Sequence, residues 1–438
     1  MLPEYLAKAS PNPLSNRAPW YKNTAPTYAG IFLWIAFYNS IAAGTIDRAS
    51  LGVCLLALAV AGLLCHLLYY MVPAMLGMKT GYPLYVIGAS TFGSRGGYLM
   101  PGLLMGILQI GWLAVGTFFA SKFVLSGLGM EAKAGTMPFI VVGTVWGLTM
   151  GWLGIKGIQY VARIATLLNF IPLLMILVVF AKTSPGMASH VPSNPAPFVA
   201  FTMLLQIVIG FFATAGAAGA DFGSNSRHAG DVKMGGLVGI VAAVLIAGGL
   251  PLLSVAGARV MMPNVQGFNY DAVVGAIGGP MATAMFFLFT IASIPPACFS
   301  AFIAANSFST MIPGISRTGS TMAGMVVAIV LAVSGVAENL VGFFTIVGAS
   351  FGPIIGAMTA DYLLAGKQWA GPRDGINWAG YGAWAVGFLV GVIPFLPVPP
   401  EVRELAQPAV VYSLITGFVV YYVLAKAGLE PKTLAMTK

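Results

Sequence analysis

Four places in this chain set polar or helix-loosening residues within otherwise apolar sequence: Gln109 with Trp112, the run from Phe212 to Ala220, Asn39, and Pro295-Pro296. Polar side chains and interrupted helices are costly in hydrocarbon, so several at one depth point to the lining of a shared site. In Gly106-Ile107-Leu108-Gln109-Ile110-Gly111-Trp112, the amide and the indole lie three apart, on one helical face. An amide both donates and accepts, and an indole offers a flat apolar face. Together they suit a planar polar ring held by edge hydrogen bonds and stacking. The other use of the pair is a glutamine bonding a neighbouring helix beside a packing tryptophan. The run Gly210-Phe211-Phe212-Ala213-Thr214-Ala215-Gly216-Ala217-Ala218-Gly219-Ala220 is rich enough in glycine to unwind toward a cavity, or to pack closely on another helix, and Phe212 adds a second aromatic face.

The elements that must position these residues are transmembrane helices. Of 438 residues 58% are hydrophobic and 8% charged, a surface that water cannot accommodate. Twelve apolar spans are expected, near 27–47, 51–75, 99–124, 136–155, 160–181, 198–221, 234–260, 279–306, 319–336, 338–362, 377–397 and 408–427, making an all-α polytopic membrane protein. No cleavage-like signal follows a span, and the first apolar run comes after a polar arm of about 25 residues, so the first span is expected to remain in the mature protein. Of the 21 Lys and Arg, all but Arg48, Lys122, Lys133, Lys182, Arg259 and Arg403 fall on one side of the twelve spans, which places both termini in the cytoplasm and the protein in the plasma (inner) membrane. The arm, with Pro11, Pro13, Arg17 and Lys22, reads as a flexible or interfacial lead-in whose Trp20 and Tyr21 suit the headgroup level.

The net charge of +9 is scattered among short loops rather than gathered on a face, which excludes a nucleic-acid partner. Cys54, Cys65 and Cys298 lie inside spans and imply no disulfide framework. His66 lies in the second span, as a proton carrier or a helix-packing histidine, while His190 and His228 belong to loops. There is no metal-ligand spacing, nucleophile elbow or Walker loop, so neither catalysis nor ATP-driven transport has residues to carry it, and no cofactor is expected. Asp221, with Arg227 and Lys233 just beyond, reads as a solvated or loop-pairing carboxylate.

A helix rises about 1.5 Å per residue through a hydrocarbon core about 30 Å thick, so a midplane residue sits about ten positions into a span. Counted from the expected starts, Gln109, Asn39, Phe212 and Pro295 come to broadly similar depths.

With those residues placed, the run Ser90-Thr91-Phe92-Gly93, then Gln109-x-x-Trp112, then Ala220-Asp221-Phe222, then Gly356-x-x-x-Ala360-Asp361-Tyr362-Leu363 resembles the nucleobase-cation-symport-1 family, in its cytosine permease branch. The likeness runs from about Asn16 to Leu364. It implies the leucine-transporter fold, five spans and an inverted repeat of five, with two further spans after them. The chain then divides into an arm at 1–26, a ten-helix core at 27–364, two additional helices at 365–427 and a tail at 428–438. Broken first and sixth helices would account for Asn39-Ser40 and the Ala/Gly run.

Carried over by motif, Gln109 hydrogen-bonds a nucleobase, Trp112 and Phe212 stack on its two faces, and Thr214 with loosened backbone at Ala215 and Gly216 completes the edge contacts. The resemblance thus implies a symporter for a nucleobase, with cytosine leading and purines, hydantoins, allantoin and hydroxymethylpyrimidine open. Sodium-coupled members place hydroxyl and amide groups in the eighth span, whereas Ser293-Ile294-Pro295-Pro296-Ala297-Cys298-Phe299-Ser300 offers only Ser293 and Ser300, seven apart. Carbonyls freed by the prolines are one substitute for a sodium site. For a proton, Asp47 and His66 are the nearest candidates, so the coupling ion stays open between the two. The expected partners are a small planar substrate and the bilayer, with no obligatory protein. A membrane sensor would carry an output domain and a passive channel a continuous polar lining, and neither is apparent here.

Overall fold

The computed structural model describes residues 2–155, 168–312 and 314–436. Among them the backbone is helical, with no strand beyond two isolated bridges, Ala18 with Ser226 and Arg373 with Thr433. Nine helices among the described residues are long and apolar enough to cross a membrane: Leu51–Thr80, Gly96–Gly127, Met137–Ile155, Phe170–Ser189, Pro197–Ala217, Ala229–Met261, Gly279–Met311, Leu340–Leu364 and Ala409–Lys426. Such helices satisfy their own backbone polar groups, which is the condition hydrocarbon imposes. The three other expected spans carry shorter or broken helices, at Thr24–Phe32 with Ile35–Tyr38, at Arg317–Val333 and at Trp378–Gly391. The arrangement is consistent with twelve spans; residues 160–167 of the fifth, with Lys156 and Arg163, lie outside the described residues.

The third, sixth and tenth spans bury 72%, 72% and 78% of their most apolar stretch, against 33% for the fourth, fifth and twelfth. The former make the inside of the bundle and the latter face lipid. Backbone approach is closest where glycine allows it. A Cβ on Gly77 would sit 1.9 Å from the carbonyl oxygen of Ala220, and one on Gly223 would sit 2.1 Å from that of Ala74, so the second span lies directly against the segment after the sixth.

The first, sixth and eighth spans are interrupted, the first of them away from the expected place. The first helix stops at Phe32, Trp34 is extended (φ −76°, ψ 132°), and helix resumes at Ile35–Tyr38, so the break is at Leu33-Trp34 rather than Asn39-Ser40. Helix Pro197–Ala217 continues through most of the glycine-rich run, turns at Ala218 within it and resumes as Gly219–Ser224. Ala215 and Gly216 are therefore helical rather than loosened, because Gly216 lies against Tyr69 and the segment gains packing by staying helical. In the eighth span, Ser293 separates Gly279–Ala292 from Ile294–Met311, and Pro295-Pro296 occupy the first turn of the second piece, where a missing N–H is tolerated.

Short helices at Leu84–Phe92 and Tyr270–Ile277 occupy stretches expected to be loops. The arm is no flexible lead-in. Tyr5 donates to the Ser94 carbonyl (2.8 Å), Arg17 to the Met78 carbonyl (2.6 Å), and the Trp20 N–H to Asp231 (3.0 Å). The Ala18 N–H reaches the Asn225 carbonyl at 2.8 Å, so the arm is fastened along one end of the bundle.

Candidate functional site

A cavity of about 350 Å³ lies between the first, third, sixth and eighth spans, within the range of small-molecule sites. Each span offers one helical stripe to it. The third gives Gln109 and Trp112, and the sixth gives Phe211, Thr214, Ala215, Ala218 and Phe222. The eighth gives Pro295, Pro296, Phe299, Ser300 and Ile303, and the first Asn23, Pro26, Thr27, Gly30, Ile31 and Trp34. Lys22, Asn23 and Asn225 line it near the fastened arm, and since Lys22 and Pro26 are exposed, the cavity opens at that end.

The inner wall is aromatic and buried. Trp112 packs edge-on against Phe211 (5.2 Å between ring centroids) and Phe343 (4.9 Å), and lies 5.8 Å from Trp34. Its indole N–H donates to Thr214 Oγ1 at 3.2 Å, which joins the third and sixth spans across the cavity. Gln109 is 6% exposed, and among the described residues its amide reaches only Met105 Sδ, at 3.6 Å. A thioether is a weak acceptor, so Gln109 keeps donor and acceptor capacity for a ligand. Gln109 and Trp112 thus both line the cavity.

Phe212 stands elsewhere. It is fully buried, stacked on Phe32 (5.6 Å, 11°) and tilted against Tyr28 (5.5 Å), while Phe211 holds the cavity wall. Positions two apart on a helix point in nearly opposite directions, so Phe212 and Thr214 cannot face one cavity; Phe211 and Thr214, three apart, can. Ala215 lines the cavity, but its carbonyl accepts from Tyr28 Oη at 2.9 Å. Gly216 does not line it.

Asn39 lies at the closed end. Its Oδ1 accepts from the Asp271 N–H (2.9 Å), and the Asp271 carboxylate meets Lys122 Nζ at 2.5 Å. Tyr38 and Tyr270 pack edge-to-face at 5.1 Å beneath that pair. Asn39 does not line the cavity. Asp47 sits further out, 3.9 Å from Arg48. His66 is buried in the π-helical turn Cys65–Tyr70, stacked on Tyr70, with Nδ1 unpartnered among the described residues. Ser300 lines the cavity, and Ser293 Oγ donates to the Phe289 carbonyl at 2.8 Å. The described residues contain no cluster of three or more His, Cys, Asp or Glu for a metal.

Two of the motifs outside the cavity, at Ser90-Thr91 and at Asp361, meet in one buried polar cluster. Ser90 Oγ (2.6 Å) and Thr91 Oγ1 (3.0 Å) donate to Asp361 Oδ2, and Arg373 Nη1 reaches Asp361 Oδ1 at 2.9 Å. Arg373 also binds Glu430 (2.8 Å), which accepts from Tyr421 (2.7 Å).

No protein-family model matches the chain. It is 26% identical over 343 residues to the cytosine permease of Escherichia coli, covering 73% of this chain and 74% of that protein. Its fold is that of Mhp1, a nucleobase-cation-symport-1 family transporter in a closed conformation with bromovinylhydantoin bound (TM-score 0.72, 16% identity, 97% of this chain and 96% of that one). Its likeness is thus to cytosine permease in sequence and to a nucleobase-cation-symport-1 family transporter in fold. Mhp1 in its inward-facing conformation matches the chain at TM-score 0.70 and 16% identity, over 98% of this chain and 97% of that one. A Na+-coupled sialic acid symporter matches at 0.58 and 14%, over 96% and 92%. These likenesses carry the leucine-transporter architecture and an integral, multi-pass membrane placement for this chain.

Trp34, Phe211, Phe299 and Asn169 also line the cavity and were not singled out from the sequence. The signal for Phe211 was present: it lies three, four, seven and eleven positions before Thr214, Ala215, Ala218 and Phe222.

Proposed function

We propose that this protein is a secondary active transporter that carries a planar nitrogen heterocycle across the membrane by alternating access, with cytosine the leading substrate. The observation that carries it is the buried Gln109 amide, with only a thioether partner among the described residues, beside the Trp112 and Phe211 rings in a cavity that reaches the exposed Lys22 and Pro26. The curated cytosine permeases supply the substrate class. Ten spans at 27–364 would make the transport core and the helices at 365–427 an accessory pair, with both termini cytoplasmic. In that orientation the cavity faces the cytoplasm, and Asn39, Asp271 and Lys122 close the outer side. The substrate contacts would be Gln109, Trp112, Phe211 and Thr214. The coupling ion is sodium or a proton; Ser300 with backbone carbonyls would serve the first, and Asp47 or His66 the second.

Binding to purified protein tests the substrate class. Cytosine should protect the protein against thermal unfolding, and a panel of hydantoin, allantoin, adenine and hydroxymethylpyrimidine should rank below it. Protection by none of these ligands removes the substrate assignment.

A further inference from the structure

Trp34 joins the two pieces of the first span as a single extended residue, and its ring reaches the cavity beside Trp112 and over Gly116, where a Cβ would lie 3.5 Å from Trp34 Cζ2. The residue is 6% exposed, and its indole N–H is buried with no hydrogen-bond partner among the described residues. Other indoles in the molecule find an oxygen: Trp112 at Thr214, Trp369 at the Ile87 carbonyl (3.0 Å) and Trp384 at the Ser350 carbonyl (3.0 Å). Trp146 shares the lack but lines no part of the cavity. A buried donor left unpaired is unfavourable, and a ligand that supplies the acceptor relieves it.

We propose that Trp34 Nε1 donates a hydrogen bond to an exocyclic carbonyl oxygen of the substrate, so that the site selects oxo-heterocycles. This deepens the transport reading and rests on it. A carbonyl suits this donor better than a ring nitrogen, because Trp34 stands in the cavity wall and its N–H is covered in this conformation. An exocyclic oxygen projects about 1.2 Å beyond its ring and reaches such a donor, while a ring nitrogen stays flush with the ring edge. Gln109 then reads one edge with a donor and an acceptor, and Trp34 reads the carbonyl with a donor only. The candidate substrates divide on this point. Cytosine, hydantoin, allantoin and oxopurines carry the carbonyl; adenine and hydroxymethylpyrimidine do not.

The test is a ligand-by-variant square: cytosine and 4-aminopyrimidine, which lacks the carbonyl, each titrated onto the wild-type protein and Trp34→Phe, which keeps an aromatic ring and removes the N–H. The wild type is expected to prefer cytosine by about tenfold or more. In Trp34→Phe, cytosine affinity falls by about that factor while 4-aminopyrimidine affinity is unchanged. Equal losses for both ligands would assign Trp34 a packing role and overturn the proposal, as would unchanged cytosine affinity. The wild-type protein separates this failure from that of the transport reading, since binding of no heterocycle there removes both. Elution and melting of Trp34→Phe as wild type establish that it folds.

Discussion

A helix turns each residue by about 100°, and that rotation decides which side chains can serve the cavity. Phe211, Thr214, Ala215, Ala218 and Phe222 form one stripe, and Phe212 points away into Tyr28 and Phe32. Phe211→Ala should therefore weaken cytosine binding with a modest loss of stability. Phe212→Ala should leave the cavity lining intact and destabilise the protein by about 3–5 kcal/mol, as large-to-small core changes do. Paired titrations and melting curves separate the two, and the opposite assignment would restore Phe212 to the wall. Gln109→Ala should weaken cytosine binding by about 1–3 kcal/mol, since the ligand edge is left unpaired; unchanged affinity in a folded variant removes Gln109 from the site. The sequence made Gln109 legible because an amide in hydrocarbon is rare and needs a reason. It concealed Phe211 and Trp34, because the chain holds 27 Phe and 8 Trp and most such residues in a bundle are core.

At the scale of elements, composition located the spans well but not their breaks. The first span ends a helical piece at Phe32 with no glycine or proline at the interruption, so no local signal marks it. The sixth has abundant glycine yet stays helical until Ala218, because close contact with the second span rewards the helix. Tyr270–Ile277 was hidden for another reason. Eight residues are too short to stand out, yet they hold the closed end through the Asp271–Lys122 pair and the Asn39 hydrogen bond. Lys122→Met removes the cation opposite a carboxylate that is 7% exposed. Amide hydrogen exchange across Tyr270–Ile277 should then speed up, with Ala409–Lys426 unchanged as an internal control. Exchange that stays at the wild-type rate would show that the pair does not hold this end shut.

For the whole molecule, four short motifs far apart in sequence were the basis of the family resemblance, and the structure shows why two of them belong together. Ser90-Thr91 and Asp361 are hydrogen-bonded to each other, and Arg373 extends the cluster to Glu430 in the tail. The cluster fastens the tenth span, the helix at Leu84–Phe92 and the end of the chain into one unit. Arg373 is 5% exposed and Asp361 3%, so Arg373→Ala leaves a buried carboxylate without its cation. That change should cost about 3–5 kcal/mol of stability, read as a lower melting temperature of the purified protein. An unchanged melting point would mean that the tail is only loosely held. The central claim concerns flux, and the most direct measurement is uptake of labelled cytosine by the reconstituted protein, with an inward sodium gradient alone and then with an inward proton gradient alone. The account predicts accumulation above the outside concentration under one of these gradients, lost when that gradient is dissipated. Equilibration without accumulation under either gradient, or binding without entry, would contradict it.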